Sequence, residues 1–173
     1  MSDTEVRAHL RSVLGSLGGD GPLPPPYPTC LGCGPDAAQG FHLQVRREGD
    51  EVVTDHVFEL RHSGASGIAH GGAVATVVDD VLGFLLYLEQ VPGVTRMLQV
   101  EYVKPVRTGV RYAVRARVDE RDARKVWVSC SGSDPEGVEA FRARGLFLAV
   151  DLEHFAQAVA PAPPGDGQAP VAP

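Results

Sequence analysis

The stretch that most constrains this chain runs from His70 to Leu88. Ala73, Val74, Val77, Val78, Val81, Leu82, Leu85 and Leu86 recur at helical spacing and cover most of the helix circumference. A helix of some 18 residues would be about 27 Å long, and one that is apolar nearly all round has to be buried. The rest of the chain must therefore supply its cover. Val91-Pro92-Gly93 marks the end of the helix. Its start, His70-Gly71-Gly72, offers unpaired backbone N–H groups and the positive end of the helix dipole. Asp79 and Asp80 lie inside the apolar run. A carboxylate held among apolar side chains is a candidate general base or nucleophile, so an enzyme is the first expectation.

The cover is written as period-two alternation. Six segments read as strands: 41–45, 52–60, 98–102, 112–118, 126–130 and 141–149. In the second, Val52, Thr54, His56, Phe58 and Leu60 share a face. Gly49-Asp50, the DERD at 119–122 and the SDPEG at 133–137 are turn sequences. Gaps this short favour antiparallel neighbours. The expected fold is α+β, a curved antiparallel sheet of about six strands wrapped around one long helix. A sheet covers such a helix on one side only, and a second copy of the chain is the simplest cover for the other.

The 173 residues suit a single domain with flanking segments. Residues 1–29 read as an amphipathic helix (Val6, Leu10, Val13, Leu14, Leu17) and a Pro/Gly linker. Residues 30–158 form the domain, ending in a short turn of helix, and 159–173 read as a disordered Ala/Pro tail. The net charge of −6 argues against nonspecific nucleic-acid binding. No apolar run reaches the ~20 residues of a membrane span, and MSDTEVRAHLRSV lacks the order of a secretory signal. A cytoplasmic protein without a membrane partner is expected. Cys30 and Cys33 form a CLGC turn. Zinc would need two more ligands, which Cys130 alone does not supply; His42 is the one recruit in reach of the argument. The expectation is two reduced thiols, no metal and no cofactor.

HGGAVATVVDD at 70–80, Thr95, and QVEYVKPVRTG at 99–109 together resemble the hot-dog-fold acyl thioesterases, especially the PaaI-like and 4-hydroxybenzoyl-CoA thioesterase group. CLGCGPDAAQGFHLQV at 30–45 and FRARGLFLAV at 141–150 are similar to that family's first-strand entry and last strand. The resemblance implies that Asp79 is the catalytic acid, acting as general base on water or attacking the thioester directly. It implies that the Gly71 N–H binds the thioester oxygen and that His70 holds the loop or contacts substrate. It implies that Thr95 places the water or the carboxylate, with Gly72 and Ser66 in the substrate-binding region. Several members carry Asn or Gln six residues before the His; here that position is Gly64, and Ser63 or Ser66 would have to supply a hydroxyl. The implied substrate is an acyl-CoA or acyl-carrier-protein thioester.

Gly71 and Asp79 are eight residues apart on one helix, roughly 12 Å along its axis. One thioester carbon cannot touch both in the same chain. Two antiparallel helices about a two-fold axis bring Asp79 of one copy to Gly71 of the other, so a homodimer, or a dimer of dimers, is expected. Asp80 lies ~100° round the helix from Asp79, and one of the pair is expected to face solvent or an interface without a catalytic part. His70 reads equally as a structural histidine, and Thr95 as an ordinary strand residue. The stripe of Arg115, Arg117, Arg142 and Arg144 reads as a solvated sheet face, with coenzyme A phosphates as the alternative partner. A noncatalytic acyl-binding or assembly module is the rival function. An acyl-CoA hydratase is a weaker one, since no His follows Asp79 in the helix.

Overall fold

The computed structural model describes residues 19–151. The expected N-terminal helix, the last helical turn and the Ala/Pro tail lie outside them.

Antiparallel strands β1 (Gly21–Pro22), β2 (Arg46–Glu48), β3 (Glu51–Val57), β6 (Gly93–Tyr102), β7 (Arg111–Asp122), β8 (Lys125–Ser133) and β9 (Glu139–Ala149) form one sheet in the order β1-β2-β3-β7-β8-β9-β6. A small hairpin, β4 (Ser63–Ala65) with β5 (Ile68–Ala69), precedes α1 (Gly71–Gly83) and α2 (Leu85–Leu88). The alternation that names the faces is clearest in β7. Tyr112, Val114 and Ala116 are buried under α1, while Arg111, Ala113, Arg115 and Arg117 point away. Val74, Val77, Val78, Val81 and Leu82 of α1 are fully buried against them, each such side chain contributing about 1.5–3 kcal/mol of burial free energy. By length and apolarity alone residues 71–88 would pass for a membrane span; here the run is the core helix of the sheet.

Three expectations are corrected in detail. The strand before β3 lies at Arg46–Glu48 and not at 41–45; residues 41–45 are irregular, with His42 at φ 49°, and the Leu23 N–H donates to the Val45 carbonyl. Leu60 does not join the buried face of β3: it starts a 3-10 turn (Leu60–His62) and is 79% exposed. The helix is not continuous to Leu88. It stops at Gly83, where no side chain supports it, and Phe84 (ψ −20°) restarts it as α2. Gln90, at φ 54°, then takes the left-handed position, and the Val91 N–H closes back on the Leu86 carbonyl.

The arginine stripe forms a solvated, ion-paired outer face. Arg115 sits 3.0 Å from both Glu48 and Glu51, and Arg142 lies 2.7 Å from Glu101. Exposed pairs of this kind contribute little to stability.

Candidate active site

His70 ends the β5 connection in an extended conformation (φ −61°, ψ 137°), and its Nδ1 accepts the Gly72 N–H at 2.9 Å. That bond makes His70 the helix N-cap, holding the proton of the neutral ring on Nε2. It also takes the Gly72 N–H out of use. The Gly71 N–H has no acceptor among the described residues, and it stands at the positive end of α1. Tyr102 on β6 donates its hydroxyl to the Gly71 carbonyl at 2.7 Å and fixes that end from the other side. Gly64 lies against the cap: a Cβ there would sit 2.9 Å from the His70 Cα. A side chain larger than hydrogen at this position would press on the His70 backbone. Ser66 is exposed in the β4–β5 turn, on the segment leading into His70.

Two turns further along α1, Thr95 of β6 donates its hydroxyl to Asp79 Oδ1 at 3.0 Å. Burial raises the Asp79 carboxyl above the usual carboxylate range, and the Thr95 bond partly offsets it. Thr95 and Tyr102 thus touch α1 at Asp79 and at Gly71. The strand reaches both because Thr95 pairs with Phe147 and Met97 with Leu146, leaving Arg96 as an extra residue in β6. A cavity of 270 Å³ opens beside the acid, lined by Asp79, Asp80, Phe84, Leu86, Tyr87 and Thr95 among others. A shallower depression of 410 Å³ on the outer face of the sheet holds the arginine–glutamate pairs and none of the candidate residues. Gly71 is not part of the Asp79 cavity. Within one chain, donor and acid occupy different ends of the helix.

Asp80 departs from expectation. It faces neither open solvent nor the Asp79 cavity alone. The ~100° turn from Asp79 aims it at the CLGC turn, where the Cys30 thiol donates to its Oδ1 at 3.1 Å and the Cys33 thiol at 3.6 Å. Burial pushes its carboxyl up to about 8. Sequence reasoning kept these cysteines apart from the helix because 47 residues separate Cys33 from Asp80. His42 stays out of the cluster: its Nδ1–H donates to the Gly34 carbonyl at 3.0 Å. Tyr102 lies in the QVEYVKPVRTG stretch at 99–109, yet only the structure gives it a partner.

Residues 66–141 match the family model of the thioesterase superfamily. The mouse acyl-coenzyme A thioesterase THEM4 is 33% identical over 117 residues, 66% of this chain and 50% of the relative. Its rat counterpart is 31% identical over 93 residues, 53% of this chain and 40% of the relative. The chain therefore spans about half the length of the curated relatives it matches. The PaaI protein of E. coli, from the phenylacetic acid degradation operon, superposes with a TM-score of 0.60 at 13% identity, covering 67% of this chain and 85% of PaaI. A hypothetical thioesterase of Streptococcus pneumoniae, solved with coenzyme A, gives 0.59 at 17% identity, covering 62% and 85%. These structures share the hot-dog fold. By this matched segment and this fold the chain is similar to the thioesterase superfamily, and to the hot-dog acyl thioesterases within it.

Proposed function

We propose that the protein hydrolyses an acyl-CoA thioester at a site shared by two copies of the chain. The observation that carries this reading is the Asp79 carboxylate, made more basic by burial and oriented by Thr95 beside a 270 Å³ cavity. A second observation supports the assembly. The half-exposed face of α1 carries Gly72, Thr76, Asp79 and Gly83, which are small or short enough to let a second helix approach closely. Two-fold pairing of those faces would set Asp79 of one protomer near Gly71 of the partner subunit.

In this arrangement water attacks the thioester carbon while Asp79 takes its proton. The oxyanion forms against the Gly71 N–H, a donor that needs no titration. The C–S bond then breaks and the thiolate leaves, taking up a proton. Direct attack by Asp79 would give a mixed anhydride that water must then open. Activity should appear as pH rises through the raised Asp79 pKa. The related THEM4 thioesterases and the streptococcal neighbour that holds coenzyme A favour a CoA ester over a carrier-protein ester as substrate.

The test is thiol release from a panel of straight-chain and aryl acyl-CoAs, with Asp79→Asn and Asp80→Asn compared. Loss of the base should lower turnover by about 10²–10⁴ while substrate binding survives. If Asp79→Asn retains full turnover, the acid is not catalytic. If no acyl-CoA is hydrolysed but one binds, the chain is an acyl-binding module.

A further inference from the structure

We propose that Cys30, Cys33 and Asp80 bind a thiophilic divalent cation of the zinc class, which fastens the loop at 27–43 to the middle of α1. This inference does not depend on the hydrolytic reading, since it uses none of the residues assigned to that chemistry.

The ligand atoms are already together. The two sulfurs and an Asp80 oxygen all lie within 4.8 Å of one another, and the two sulfur–oxygen separations are 3.1 and 3.6 Å. Zinc–sulfur bonds of about 2.3 Å and zinc–oxygen bonds of about 2.0–2.2 Å at tetrahedral angles ask for ligand separations of roughly 3.5–3.8 Å. The cluster needs only small side-chain rotations to meet that geometry. Two thiolates and a carboxylate form a donor set zinc accepts, and thiolates select against magnesium and calcium.

The backbone of the loop is built to hold this arrangement. The Cys30 N–H donates to the Tyr27 carbonyl at 3.1 Å and the Gly34 N–H to the Cys30 carbonyl at 2.8 Å, which folds the four-residue turn. The Phe41 and Leu43 N–H groups bond the Leu31 and Gly32 carbonyls at 2.9 and 3.0 Å, tying the turn to the segment that leads into β2. Gly32 rests directly on the acid, so that a Cβ there would overlap the Asp80 carboxyl.

What the cluster lacks also points to a cation. Asp80 Oδ2 is buried without a hydrogen-bond partner among the described residues. Its other oxygen has only two sulfur donors, which are weak. A carboxyl this deep is costly without strong compensation, and a cation supplies it. A Cys30–Cys33 disulfide would do the reverse, because it removes both S–H donors from the acid. On binding, both thiol protons and any proton on Asp80 pass to solvent. The cation then carries three protein ligands, and water takes the fourth position.

The test uses the full chain, purified under reductant, stripped with chelator and verified to hold three free thiols. Titration with cobalt(II) should produce a thiolate-to-cobalt charge-transfer band and the visible bands of a tetrahedral centre. Both should saturate at one cobalt per chain and disappear on adding zinc. Zinc should also protect Cys30 and Cys33 from alkylation. Asp80→Asn should weaken cobalt binding by more than about tenfold, the least that losing even an outer-shell partner costs at such sites. No charge-transfer band at several-fold excess of cobalt would overturn the proposal. So would a band that persists unchanged in Cys33→Ser, or a Cys30–Cys33 disulfide that forms in zinc-containing buffer.

Discussion

The helix start offers a substitution that removes a single backbone donor. Gly71 is the first residue of α1, where its N–H has no intrahelical acceptor and none among the other described residues. Proline is well tolerated at that position. It also demands an extended conformation of the residue before it, and His70 already has φ −61° and ψ 137°. Gly71→Pro should therefore fold. The Cβ it adds would sit 3.2 Å from the Tyr102 hydroxyl and 3.3 Å from its ring, which a shift of a few tenths of an ångström relieves, and its ring Cδ takes the place of the N–H hydrogen. Gly71→Ala introduces the same Cβ and keeps the N–H, so it separates crowding from donor loss. If the N–H holds the oxyanion, its removal should cost about 2.7–4 kcal/mol in the transition state, or 10²–10³ in kcat, whereas the alanine variant should keep most of the rate. Steady-state thioester hydrolysis, with light scattering to confirm the same assembly, measures both. A folded proline variant that turns over like the alanine variant would place the oxyanion site elsewhere.

Thr95→Val removes the only side-chain donor recorded to Asp79. That bond holds the Asp79 pKa down against burial. The acidic limb of the pH–rate profile should move up in Thr95→Val and stay in place in Thr95→Ser; an unmoved limb in both would deny Thr95 a positioning part. His56 is buried with its Nε2 unpartnered, and burial holds its pKa near 4, below the ordinary 6.5. The unfolded chain then binds the extra proton, so stability falls as pH drops from about 6.5 toward 4, by about 2 kcal/mol between pH 7 and pH 5. Denaturant melts should show that slope and show most of it gone in His56→Leu. Gly64→Ala should lower stability by about 1–3 kcal/mol, since its Cβ meets backbone and not a yielding side-chain end; a melting temperature equal to wild type would contradict the close contact.

The parts of the fold legible in the sequence were those set by periodicity within one element. The buried face of α1 and the in-out pattern of β7 follow from spacing alone. Segments whose state depends on distant partners were not legible. Residues 41–45 alternate like a strand, yet their backbone serves the CLGC loop and not a neighbouring strand. Leu60 continues the β3 alternation, but the capping interactions of Glu59 with His62 turn the chain there. In the site, His70, Gly71, Asp79 and Thr95 could be named from the sequence because each occupies a motif position. That Asp80 serves the cysteines, and Tyr102 the Gly71 carbonyl, required the packing of β6 and of the 27–43 loop against the helix.

The extra residue at Arg96 has a wider meaning. Thr95 and Tyr102 are an odd number of positions apart, and in an unbroken strand they would lie on opposite faces of the sheet. The bulge shifts the phase by one, so a single strand addresses both ends of one helix: the acid through Thr95 and the cap through Tyr102. The timing of the site thus resides in a residue that takes no part in it. A related chain lacking that residue would keep Leu98, Val100 and Tyr102 where they are, with the helix start intact, and turn its threonine away from the acid. Parity between those two positions is accordingly a sharper mark of this site than either residue by itself.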